Sequence, residues 1–141
     1  MNKFLSASPI MEQQGLAIIR IITGLFMVYH GWEVFDSATM KGYAGWDQFK
    51  GLPSPALMVY LGKSAELVTG LLLAAGCLTR PAALVLILTM LYISFFAGHG
   101  KIWYDDQHPF LFVLLGCVFV FCGPGSWSID RLLQKNKPNQ P

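Results

Sequence analysis

Charge is scarce in this sequence. Lysine, arginine, aspartate and glutamate make up 13% of its 141 residues, about half the roughly 25% of an ordinary soluble domain. Hydrophobic types reach 54%, more apolar surface than a core of this size can hide, so lipid rather than water solvates much of the chain. The net charge of +2 and the lack of a basic run with interleaved aromatics argue against a nucleic-acid partner. Cysteine is also rare. Cys77, Cys117 and Cys122 are odd in number and sit inside apolar runs, which excludes a disulfide framework. The amino terminus, MNKFLSASPIMEQQ, has no apolar h-region or small-residue cleavage site, and no cleavable signal peptide is expected. There is no haem, flavin, iron–sulfur or nicotinamide motif and no HxxH or HExxH spacing, so neither a resident cofactor nor a metal is assigned.

What the chain does have is apolar runs. Four of them predict spans at about 12–35, 56–78, 81–98 and 108–123. Prolines open them and glycines close them, as at Pro53-Ser54-Pro55, Thr79-Arg80-Pro81 and Gly123-Pro124-Gly125. The first is expected to start at the cap Ser8 and Pro9. The expected fold is all-α, a single-domain integral membrane four-helix bundle over residues 1–141 with both termini on the cytoplasmic side. Lys3, Arg80, Arg131, Lys135 and Lys137 fall on that side, against Lys41, Lys50 and Lys101 on the other. The stretch SWSIDRLLQK predicts a short interfacial helix before a polar tail.

The stretch YHGWEVF ends the first run with His30 and Glu33. In the second run Lys63 and Glu66 lie three residues apart, about 60° around a helix, so both face one groove. The bundle would bring His30, Glu33, Lys63, Glu66, His99 and His108 into one half of the bilayer, since intramembrane charges seek partners. Three readings stand at this level. Lys63 and Glu66 form a neutralising pair that only permits insertion; or the cluster lines a small-molecule pocket, with Glu66 and His30 giving hydrogen bonds and protons and Glu33, Lys63, His99 and His108 binding; or His30, Glu33, His99 and His108 hold a metal, which no spacing supports. Arg20 either snorkels to the headgroups or turns inward to a structural or binding role. Gly24, Gly31, Gly70 and Gly76 suit close helix approach, which also permits an oligomer.

The residues also resemble a known family. Arg20 with Gly24-Leu25-Phe26 and His30-Gly31, then Ala65-Glu66-Leu67 with Gly70-Leu71-Leu72, Gly76 and Thr79-Arg80-Pro81-Ala82-Ala83, and finally Gly123-Pro124-Gly125 with Ser128-Ile129-Asp130, are similar in order and spacing to the DoxX family of small four-span bacterial membrane proteins. The likeness runs from Leu16 to Leu132. It departs at Glu33-Val34, where members often carry a glutamine-lysine pair, and at Lys63, where a small or apolar residue is more usual. The resemblance implies a multi-pass protein of the bacterial cytoplasmic membrane. It also implies a link to quinone-coupled thiosulfate oxidation or to redox complexes acting against oxidative stress. A quinone or similar apolar ring is then the implied ligand, with electrons supplied by a redox partner protein or a diffusible reductant. The alternative is a non-catalytic binding, assembly or transporter-like subunit, and the chain's standing as an enzyme is open between the two.

Overall fold

A computed structural model describes residues 9–135 of the chain. All its regular structure is helical. Helix α1 (Glu12–Gly31) continues as a 3-10 turn, Trp32–Phe35; α2 (Ser37–Ala44) follows, then a 3-10 turn, Asp47–Phe49; α3 is Pro55–Ala75; α4 (Thr79–Tyr92) runs into a π-helical turn, Ile93–Ala97; α5 is Gln107–Cys122 and α6 is Ile129–Lys135. Helix α1 begins later than expected, after Met11 at φ 52°, so Pro9 is not its first residue; Ser8 lies outside the described residues, as do Lys3 and Lys137. Pro55 opens α3, where its missing N–H costs nothing, and Gly76 closes it at φ 66°. Asp36 caps α2, accepting from the Ala38 N–H at 2.9 Å and the Thr39 hydroxyl at 2.6 Å.

The expected four-helix membrane bundle is corrected here. Among the described residues there are six α-helices, and three segments are long and apolar enough to cross a bilayer: Glu12–Phe35, Pro55–Ala75 and Thr79–Ala97. Helix α5 has 16 residues, about 24 Å at 1.5 Å per residue, which falls short of a hydrocarbon core of ~30 Å. The even number of crossings that placed both termini on the cytoplasmic side therefore no longer holds.

Packing follows the small residues. Helices α1 and α3 meet backbone to backbone: a Cβ added at Gly70 would lie 2.6 Å from the Val28 nitrogen, and Gly24 and Gly31 press on Ala74 and Leu67 as closely. Met27, Leu73, Leu86, Met90, Phe112 and Phe119 form the main core where α1, α3, α4 and α5 converge. A smaller core of Met40, Phe49 and Val59 seats α2 and its following turn on α3. The outward side chains, Leu25, Phe26, Leu61, Leu71 and Leu88 among them, are exposed and apolar, as lipid requires.

The segment after α5 laces one end of the bundle. Arg20 is fully buried. Its Nε donates to the Pro124 carbonyl at 2.8 Å, one terminal nitrogen to Leu73 and to Ala74 (3.1 Å), and the other to Trp127 (2.9 Å) and Ser126 (3.4 Å). All five guanidinium donors are thus used, and inward on backbone. The Ser126 N–H donates to the Gln13 carbonyl at 2.8 Å, and Ser128 caps α6 by accepting from the Arg131 N–H at 3.3 Å.

Asp130 completes the lacing by accepting from the Leu78 and Thr79 N–H groups, both at 2.8 Å, at the start of α4. Burial pushes its carboxyl up, but those two N–H groups and the Arg20 charge outweigh it and hold it below the usual range. A lowered folded-state value stabilises above the unfolded value of ~3.9 and fades as pH falls through the folded one. Asp130→Ala is therefore expected to lower stability by about 1 kcal/mol at neutral pH, as loss of a cap does. The gap to wild type should narrow as the pH falls below the unfolded carboxyl's value, read as thermal unfolding by circular dichroism in detergent.

Candidate functional site

Helix α1 ends where α3 passes antiparallel to it, and the crossing at Gly31 and Leu67 brings their polar residues together. Lys63 lies between two carboxylates, with its Nζ 2.8 Å from Glu33 and 3.0 Å from Glu66, and it also donates to the His30 carbonyl at 3.4 Å. The lysine carried on the second run rather than at the end of the first thus returns to that end in space. Glu66 is 3% exposed, about 16 Å along the axis from Pro55, and only its Oε2 is engaged, by Lys63, among the described residues. Side-chain exposure falls from 34% at Glu33 through 15% at Lys63 to 4% at Glu66, so the charges run inward from the surface. Two carboxylates on one ammonium leave a surplus negative charge that a proton or a hydrogen-bond donor can balance.

Tyr43 was not expected here. Helix α2 lays it over the cluster, its hydroxyl donating to Glu33 at 2.9 Å and its ring 5.2 Å from the Lys63 ammonium. Burial, and then the bond to Glu33, raise the phenol above its ordinary range, so it stays a donor. Its one sequence signal was the cap pattern Asp36-Ser37-Ala38-Thr39, which announces the helix that carries it.

A cavity of about 140 Å³ adjoins this triad, lined by the polar side chains of His30, Lys63, Glu66 and His108 together with the apolar ones of Met27, Met90, Ile93, Pro109 and Phe112. The His30 and His108 rings meet edge to face at 5.6 Å, and His108 meets Phe112 at 5.2 Å. The expected convergence is therefore partial. His30, Glu33, Lys63, Glu66 and His108 come together. His99 does not: its exposed side chain faces a separate cleft, and its N–H donates to Asp106 at 3.0 Å. Arg20 does not either, being spent on the opposite end of the bundle. Among the described residues no group of three or more His, Cys, Asp or Glu side chains is placed to hold a metal ion, and all three cysteines are free.

Bilayer-length helices enclosing a buried charged pocket define a multi-pass helical membrane protein. The sequence model of the DoxX family matches residues 15–99, and the chain belongs to that family. It is similar to the uncharacterized membrane protein Rv3486 of Mycobacterium tuberculosis, at 30% identity over 83% of this chain and 80% of that one. It is also 30% identical to an uncharacterized protein of Haemophilus influenzae, over 82% of this chain and 88% of that one. The inner membrane protein YqjF of Escherichia coli strain K12 is 31% identical over 89% of this chain and 96% of its own length. No solved structure matches. The protein is thus a bacterial multi-pass membrane protein, in contact with the lipid bilayer.

Proposed function

We propose that this protein is the membrane subunit of a redox system of the inner membrane, and that the cavity beside Glu66 receives a quinone-type ring. The observation that carries the reading is the mixed lining of that cavity, titratable groups together with apolar ones. A flat apolar ring fits against Met27, Met90 and Phe112, while His30, Glu66 and Lys63 face the oxygens at its edge. A volume of about 140 Å³ is close to the ~150 Å³ that holds a single benzene ring. Reducing a quinone to a quinol takes up two electrons and two protons. Glu66 and His30 are the proton-bearing groups, Lys63 fixes the charge of Glu66, and Glu33 connects Lys63 to the surface. The electrons come from a redox partner protein, since the chain carries no motif for a redox cofactor.

Calorimetric titration of hydroquinone, kept anaerobic, into detergent-purified protein tests this. Saturable binding at one site is expected, weakened by about tenfold or more in Glu66→Gln through loss of a hydrogen bond to a charged group. Equal binding by the two proteins, or none by either, would sink the proposal in favour of a non-catalytic assembly subunit.

A further inference from the structure

Two hollows in this molecule share a wall. The inner one is the cavity beside Glu66. The outer one is a cleft of about 680 Å³ at the end of the bundle, whose lining includes Trp46, Gln48, His99 and Asp105. Ile93 and Pro109 line both.

One other wall is closed by backbone. Towards α1 and α3 the glycine crossing leaves no gap between backbones. Beside it the His30 ring meets His108 edge to face and His108 meets Phe112, with His108 itself exposed. The shared wall has no such crossing. Ile93 opens the π-helical turn, where the Gly98 N–H reaches back five residues to its carbonyl at 2.7 Å. Such turns are local departures from α-helix that recur at functional sites. Pro109 stands in the first turn of α5 and has no N–H to tie it.

Size and polarity then bear on the ligand. The volume of the inner cavity is that of about one six-membered ring. The cleft outside it presents an imidazole, a carboxamide and carboxylates, a surface suited to a solute in water. Resting on the preceding reading of the cavity as a ring site, we infer that a small water-soluble ring compound reaches it from this cleft, between Ile93 and Pro109, rather than a long-tailed quinone from the bilayer.

Cysteine accessibility tests the route. Cys77, Cys117 and Cys122 are replaced by alanine and Met90 by cysteine, and the protein is reconstituted in vesicles. A charged, membrane-impermeant thiosulfonate on both faces is compared with a lipid-soluble maleimide. The charged reagent is expected to label the introduced thiol. Ile93→Trp should slow that labelling by about tenfold or more, since an indole in a packed wall leaves no water-sized gap, and Ile93→Ala should speed it. Labelling by the lipid-soluble reagent alone, or a rate indifferent to both Ile93 variants, would overturn the route. Saturating hydroquinone should protect the thiol. Labelling that follows Ile93 without that protection would overturn the ring ligand while leaving the water path in place.

Discussion

Arg20→Met is expected to be the most damaging single change in this protein, lowering stability by about 4 kcal/mol or more. The substitution keeps an apolar stem of similar length and removes five donors at once. Five backbone carbonyls, those of Leu73, Ala74, Pro124, Ser126 and Trp127, then lose that donor. A hydrogen bond to a charged group contributes ~1.5–3 kcal/mol, and these five share one guanidinium and are not additive. Even so, the sum lies in the upper tail of point-mutant effects, because the guanidinium is fully buried and methionine offers the carbonyls no donor in its place. Arg20→Lys should recover less than half of the deficit, since an ammonium is a point charge with three donors and cannot span carbonyls arranged around a planar fork. Thermal unfolding in detergent reads both variants. A fall of about 10 °C or more is expected for methionine, whereas a wild-type midpoint would show that the carbonyls hold the segment without the guanidinium.

Lys63→Met should come second, at about 3–5 kcal/mol, and its origin can be isolated. Removing the ammonium leaves Glu33 and Glu66 facing each other, with Glu66 almost wholly buried. Breaking a buried pair from one side strands the other charge, which costs far more than the pair contributed. The double variant Lys63→Met/Glu66→Gln removes the stranded charge as well and is expected to regain most of the stability. Glu33, a third exposed, keeps its solvent and Tyr43. A double variant as unstable as the lysine variant would show that Lys63 acts by packing its stem, not by balancing charge. Both are compared by denaturation in detergent at neutral pH, and the cycle gives the coupling directly.

The sequence displayed some of this and concealed the rest for identifiable reasons. The start of α3 was legible because Pro55 acts through local backbone geometry, which needs no tertiary contact, whereas Gly76, read as a close-approach glycine within a span to 78, instead ends that helix. The Lys63–Glu66 contact was legible for the same local reason, as neighbours three apart on one helix. The role of the glycines was visible in kind, though not that Gly24, Gly31 and Gly70 all serve one crossing. The number of bilayer-length helices is overcounted from the sequence because the fourth run, whose ends at 108–123 are nearly those of α5, is taken as a span although 16 residues are too few to cross. His99 was assigned to the pocket on its place in the chain. Asp106, seven residues later, accepts from the His99 and Lys101 N–H groups and turns that loop away. The partners of Arg20 in the last segment lie more than a hundred residues further along, beyond the reach of any spacing rule.

That separation bears on how the protein is made. When the first helix leaves the ribosome, the carbonyls of Pro124, Ser126 and Trp127 have not been synthesised. The Arg20 guanidinium lacks these three partners until the segment after α5 has been made. The turn before α6 is therefore a latch that can set only after α5 has been made, and a ribosome stalled before Gly123 releases a chain whose first helix is still unsealed.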